Sequence, residues 1–408
     1  MRRKFAVMAA AGLLSISGLV PGYPASNAMA QDKPLKIGVL NNMTIMSANA
    51  GPGSVLAAQL AIEDSAAVTK GWKVELVNAD HLMKPDIASA IARAWFDVDK
   101  VDAIFDLPVS STTFAGVEIG KTHNKPIIIS GGGSADLTGK ACAPTTVHWT
   151  YDSSAVTNAM AKAIIKDGGP SWYFITADYA FGHALENDAT AVLKASGASV
   201  LGSVRHPFNT NDFSSFILKA QGSGAKVIGL ATSGTDIMTL IKQAREFGIN
   251  DKGQRLAALL LGVTDVKALG LEQTQGLALS ETYYWDINDR TRSFGRRFMA
   301  RHGGMPNMVH AGVYGSVIHY LKAVSALGSA ADGKKVVDQM KAMPTDDDAF
   351  GKGMIRADGR KIHPVYLFEV KKPSESKEPW DLFKLRATVP GEEAFRPMNP
   401  AECTMLKG

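Results

Sequence analysis

From residue 35 onward, short apolar runs rich in Val, Ile and Leu alternate with longer stretches in which apolar residues recur every three or four positions. That alternation predicts a parallel sheet with crossover helices. Strands are expected at 35–40, 73–78, 103–107 and 126–130, with helices at 54–68, 85–99 and 111–122, the second opened by Pro85 in its first turn. A second series follows, with strands at 171–176, 200–205, 227–231, 256–261 and 277–281 and helices at 153–166, 181–196, 213–221 and 235–247. Gly197, Gly222 and Gly248 sit where C-terminal caps belong. Each series reads as one doubly wound unit. After Trp285 the pattern is helical at 290–302, 309–327 and 333–343, with strands near 364–370 and 382–387. These elements have no complete sheet of their own, so they must pack on an earlier unit.

Composition narrows the setting. The chain has 408 residues, 46% hydrophobic and 20% charged, enough for two or three folded domains. Of its net charge of +5, Arg2, Arg3 and Lys4 supply three, leaving no nucleic-acid footprint. Those residues head an apolar run at 5–20 followed by Ala28-Met29-Ala30, the pattern of a secretory signal cleaved near Ala30. The run is interrupted by Ser15, Ser17 and Gly18 and is too short for a spanning helix. Arg2-Arg3-Lys4-Phe5 also loosely matches a twin-arginine signal, leaving the export route open. The expected product is a periplasmic, monomeric protein. Its only cysteines, Cys142 and Cys403, form an even pair bound for an oxidising compartment, and a disulfide between them is expected.

Enzyme signatures are missing. There is no Gly-x-Ser-x-Gly elbow and no His-Glu-x-x-His, and the nine histidines lack metal-ligand spacing. Residues 134–141 imitate a phosphate loop but carry Ser134 where the first glycine belongs and Ala141 where the metal-binding hydroxyl belongs. No catalytic set, metal or cofactor is expected. What the sequence offers instead is hydroxyls and glycines just after strands, where open α/β sheets bind ligands. Ser110, Ser111 and Thr112 follow the third strand, able to cap the next helix while presenting hydroxyls to an anion; Gly131, Gly132, Gly133 and Ser134 follow the fourth. Together they read as a carboxylate-binding wall. In the second series the matching positions hold Asp178, Tyr179 and Phe181, then Thr232 and Ser233, then Asp265, which offer acids for an ammonium group and rings for an apolar part. Tyr151 and Tyr284 lie where the chain passes between units. Each of these residues also has a plain use as helix cap, turn or core.

An exported α/β chain whose first unit opens with Lys36-Ile37-Gly38-Val39-Leu40 resembles the type I periplasmic binding proteins of the branched-chain amino acid transporter group. One subgroup is matched more closely by Ala79-Asp80-His81, Asp136-Leu137-Thr138-Gly139-Lys140, the run Thr176 to Gly182, Asn211-Asp212-Phe213 and the run Asp358 to Pro364, in that order. The resemblance covers about 35–405. It implies two doubly wound lobes joined by a three-strand hinge: lobe 1 from 31–150 plus about 286–350, lobe 2 from 151–285 plus about 351–395, and a tail, 396–408, returning towards the hinge. It also implies a receptor that closes on a small ligand and delivers it to the permease subunits of an ABC importer. The family's ligand-contacting positions fall on Ser110, Ser111, Gly133, Ser134, Tyr151, Asp178 to Phe181, Thr232, Ser233 and Asp265. Members for leucine-type ligands place a glutamate at or near Asp265 and a tyrosine near Ser233, so branched-chain amino acids, aromatic carboxylates and amides all stay open as ligands. A periplasmic sensor for a membrane receptor, or an exported hydrolase, are the alternatives in other functional classes.

Overall fold

The computed structural model describes residues 32–44, 51–166, 168–249 and 253–407; the expected signal segment lies outside them. The first sheet is parallel throughout, in the order β2-β1-β3-β4-β5, from β1 (Lys33–Asn41), β2 (Trp72–Asp80), β3 (Ala103–Asp106), β4 (Ile127–Ile129) and β5 (Thr146–His148). Helices α1 (Gly51–Asp64), α2 (Pro85–Asp97) and α3 (Ser110–His123) cross over between its strands. The central strands are buried on both faces, which is why their sequences are continuous apolar runs rather than alternating ones.

After α4 (Ser153–Lys166) the second parallel sheet runs β7-β6-β8-β9, from β6 (Ser171–Ala177), β7 (Ser199–His206), β8 (Val227–Ala231) and β9 (Arg255–Ala258), with α5 (Ala180–Ala195), α6 (Ser214–Gly222) and α7 (Gly234–Glu246) between them. Gly197 and Gly248 do follow helix ends with positive φ, 78° and 67°, but Gly222 belongs to its helix and Gly224, with φ 69°, makes the turn instead. Two short helices, α8 (Val263–Leu269) and α9 (Leu271–Thr274), lead to β10 (Ala278–Glu281).

The strand expected at 277–281 forms, but not in the sheet expected. β10 pairs antiparallel with β14 (Val365–Val370), which pairs in turn with β15 (Phe383–Val389). The late strands therefore complete a small antiparallel sheet packed against α4. Between them α10 (Asp289–His302), α11 (Met308–Leu327) and α12 (Gly333–Ala342) return to the first sheet, where α11 lies along α1 and reaches β3. A short hairpin-like sheet of β11 (Thr345–Asp347), β12 (Gly351–Ile355) and β13 (Lys361–Ile362) follows, and α13 (Gly391–Ala394) closes the described helices. Asn288 and Asn307 cap α10 and α11 by accepting the first free N–H groups, and Gly303 and Gly328 end them with positive φ.

The chain thus passes between two lobes at the segment after β5, at the segment after β10 and at the segment around β13. The first and third passages meet: His148 bridges Arg360 in parallel, Arg360 donates to the Tyr151 carbonyl at 3.1 Å, and the His363 ring lies 3.3 Å from the Trp149 carbonyl. Cys142 and Cys403 are joined, with Cα atoms 5.6 Å apart, and Cys403 is fully buried. Among the described residues no helix is long and apolar enough to cross a membrane.

Candidate functional site

The strands of both sheets end at a shared cleft. The turn after β3 is unusual: Asp106, Leu107 and Val109 all have positive φ, 82°, 51° and 72°, a conformation costly for any residue with a side chain and most for β-branched valine. Hydroxyls hold it in place. Thr113 donates to the Leu107 carbonyl at 2.7 Å and Thr112 to the Pro108 carbonyl at 2.6 Å. The hydroxyl cluster read as a helix cap is used differently here: the N-cap of α3 is Val109, with no side-chain hydrogen bond, and Ser110 accepts from the Ser134 backbone N–H at 3.1 Å.

The three glycines after β4 were expected to let the backbone approach a ligand, and they do permit close approach, but of protein groups. A Cβ on Gly131 would sit 2.8 Å from Pro108, one on Gly132 would meet the Thr113 hydroxyl, and one on Gly133 would meet the rings of Phe181 and Tyr151. Because Gly133 belongs to the first lobe and Phe181 to the second, the lobes touch across this point. Ser134 is engaged in its own turn, its hydroxyl accepting from the Asp136 N–H. In the anticipated carboxylate wall the hydroxyls of Ser110 and Ser134 each accept a backbone N–H.

A cavity of about 50 Å³ lies between the lobes, beside this contact. One wall is Pro108, Gly131 and Tyr151, whose hydroxyl donates to the Gly131 carbonyl at 3.0 Å. The facing wall comes from the second lobe: Ser233, Gly234, Leu260, Gly262, Asp265 and Glu281. The N-terminal turn of α11, from Asn307 to Val309, forms the side. The Tyr179 hydroxyl lies 3.1 Å from that of Ser233, just behind the wall, and the Tyr179 and Tyr151 rings both contact Phe181.

Of the residues singled out from sequence, then, Tyr151, Ser233 and Asp265 line the cavity, while Gly133, Tyr179 and Phe181 support it. Thr232 is fully buried at the end of β8, outside the lining, and Ser111 is half-buried on α3. Two fall elsewhere. Asp178 is exposed and pairs with His183 at 2.8 Å, and Tyr284 is packed among Trp285, Phe368 and Phe383 with its hydroxyl donating to the Trp380 carbonyl. Aromatic residues at a crossing pack the hinge as readily as they line a cleft, and here the antiparallel pairing of β10 turns Tyr284 into the core.

The sequence reading did not include Glu281. It ends β10, is fully buried, and faces the cavity; its Oε1 accepts from the Val263 N–H at 2.7 Å, and Oε2 has no hydrogen-bond partner among the described residues. Burial pushes its carboxyl well above the usual range, with the Val263 N–H opposing and the nearby charge of Asp265 adding. Asp265 itself accepts from the Gly262 N–H at 2.9 Å. A third acid, Asp106, lies under Gly131; burial raises it to about 7, against Ser54 and Asn41, which favour its ionised form. A charged residue closing an apolar strand was the available sign of Glu281. Among the described residues no group of His, Cys, Asp and Glu is placed to hold a metal ion.

This geometry, two α/β lobes closed on a cavity at the strand ends, has known counterparts. The family model for periplasmic binding proteins matches residues 34–377. A periplasmic binding protein from Burkholderia mallei is 45% identical and superposes with a TM-score of 0.86 over 90% of this chain and 97% of that one. A branched-chain amino acid ABC transporter periplasmic ligand-binding protein from Burkholderia xenovorans is 38% identical, with a TM-score of 0.81 over 89% and 97%. A curated relative, Leu/Ile/Val-binding protein homolog 6 of Brucella melitensis, is 24% identical over 267 residues; the match takes in 62% of this chain and just under two thirds, 66%, of that relative. With the fold, the cleft and a match along most of its length in agreement, the chain belongs to the periplasmic binding protein family.

Proposed function

We propose that the protein is the extracytoplasmic receptor of an ABC importer, capturing one small molecule between its lobes and presenting it to permease subunits. The observation that carries this reading is the cavity with Pro108 and Gly131 on one side and Asp265 and Glu281 on the other, the two sides contributed by different lobes. A ligand there would touch both lobes at once, so binding favours the closed arrangement over the open one. In this reading lobe 1 comprises 31–150 plus about 286–350, lobe 2 comprises 151–285 plus about 351–395, and the chain works as a monomer in the periplasm. No step of chemistry is required: the ligand leaves unchanged.

The test is a thermal-shift screen across amino acids, aromatic carboxylates, amides, amines and urea-like compounds, on protein unfolded and refolded to strip any carried-over ligand. A true ligand at 100 times its Kd adds about 2.7 kcal/mol of stability by mass action. It should also compact the molecule in small-angle scattering, and chromatography should recover it intact. Turnover of the compound would favour the exported hydrolase, and failure of every compound would remove the receptor reading.

A further inference from the structure

The cavity's chemistry is one-sided. Among the described residues its lining contains two carboxyl side chains, Asp265 and Glu281, and no Lys, Arg or His. A third carboxyl, Asp106, stands immediately behind Gly131, where a Cβ would come within 3.0 Å of its Oδ1. The two lining acids converge on Gly262: a Cβ there would lie 3.3 Å from Glu281 Oε1 and 3.5 Å from Asp265 Oδ2, so the absence of a side chain keeps this acidic corner open. Glu281 is fully buried, and one of its two oxygens is satisfied by the Val263 N–H while the other has no partner among the described residues. A buried acceptor left without a donor costs about 1–3 kcal/mol, and a ligand that supplies the donor recovers it. On the opposite side three donors are engaged within the protein: the Ser134 N–H donates to Ser110, the Ala135 N–H to Ser153 Oγ at 3.2 Å, and Tyr151 to the Gly131 carbonyl. Pro108, Leu260, Met308 and Val309 supply the apolar part of the wall, beside the polar Ser233 and Asn307.

Building on the receptor reading, we infer that Glu281 determines ligand specificity, and that the ligand is a small molecule with an apolar body and an N–H donor head, an amine or a primary amide, rather than one recognised through a carboxylate. Oε2 of Glu281 accepts from that head beside Asp265, while Leu260, Met308 and Val309 receive the body. An anionic head would be placed against two acids with no cation to offset them.

Three compounds of one shape and different heads provide the test: isobutylamine, isobutyramide and isobutyrate, with L-leucine as a fourth, titrated calorimetrically against the refolded full chain and Glu281→Gln. The amine or the amide should bind at least tenfold more tightly than isobutyrate, and Glu281→Gln should weaken that binding tenfold or more while leaving isobutyrate unchanged. Which of the two heads binds more tightly identifies the ligand as an amine or an amide. Tighter binding of isobutyrate, or leucine binding that Glu281→Gln leaves unaltered, overturns the inference and leaves the receptor standing. So does failure of all four where another compound of the wider screen binds; if nothing binds in either experiment, both readings fall. The head-group comparison on the unmutated protein decides the ligand class even if the variant does not fold.

Discussion

His319 illustrates how single buried groups couple this protein to its surroundings. It is 2% exposed, its Nε2 lies 2.8 Å from the Met340 carbonyl, and its ring packs against Trp149 at the hinge. Burial pulls its pKa down from 6.5 to about 4, the Met340 carbonyl opposing and the charge of Lys361 adding. The folded-state value is the lower one, so between those values the unfolded chain binds the extra proton. Its contribution is complete above pH 6.5 and is lost as pH falls towards 4, with a slope of up to about 1.4 kcal/mol per pH unit. His319→Gln keeps a donor for Met340 but cannot titrate. Urea unfolding of both proteins at pH 7, 6 and 5 should show the variant losing less stability with acidification, by about that slope; parallel curves would mean that the imbalance at His319 is absent. Nothing local in the sequence marks this residue. A histidine within an apolar helix is legible, but the carbonyl and the lysine that determine its proton affinity come from α12 and β13, and only packing brings them there.

At the scale of elements, α11 does more than cover the first sheet. It is buried nearly all round, its N-terminal turn lines the cavity, and its middle presses on the hinge. Gly312 makes that approach available: a Cβ there would stand 1.8 Å from the Thr150 hydroxyl and 3.1 Å from Ser130. On helix propensity alone, Gly312→Ala should stabilise by about 1 kcal/mol. Overpacking costs about 1–3 kcal/mol in ordinary cores, and the opposing atoms here are the side chains of Thr150 and Ser130, both fully buried. The expected outcome is net destabilisation of at least about 1 kcal/mol by chemical denaturation, partly relieved in the double variant with Thr150→Ala. A stabilised Gly312→Ala would show that α11 and the hinge are not in this contact. The helix itself was readable from its periodicity between Asn307 and Gly328. The reason for a glycine in its second turn was not, since the partner atom is more than 150 positions away.

The whole molecule is tied at its end. The tail after α13 runs back to the first lobe, where Arg396 donates to the Ala135 carbonyl at 2.6 Å and its own carbonyl accepts from Arg356 at 2.9 Å, and the bond between Cys142 and Cys403 closes a loop of 261 positions. By loop entropy such a closure stabilises by roughly 5 kcal/mol, less any strain. The double variant Cys142→Ser, Cys403→Ser should therefore unfold well below the parent in a thermal melt and expose the tail to limited proteolysis, with intact mass confirming two alkylated thiols only in reduced parent protein. An unchanged melt would assign the fastening to Arg396 instead. The even cysteine count and the two doubly wound series were determined by the sequence itself, because apolar periodicity and glycine caps act over a few neighbouring residues and can be read where they stand. The composition of the cavity was decided by the tertiary structure alone. Pro108, Tyr151, Asp265, Glu281 and Met308 are brought together only when two lobes close across a hinge, and which face of β10 meets the cleft depends on its antiparallel partner from residues 365–370, a pairing that no local pattern encodes. Hydroxyls and glycines near strand ends were visible from sequence, but whether they bind a ligand or one another is a question of distances between remote segments, and those are set by packing.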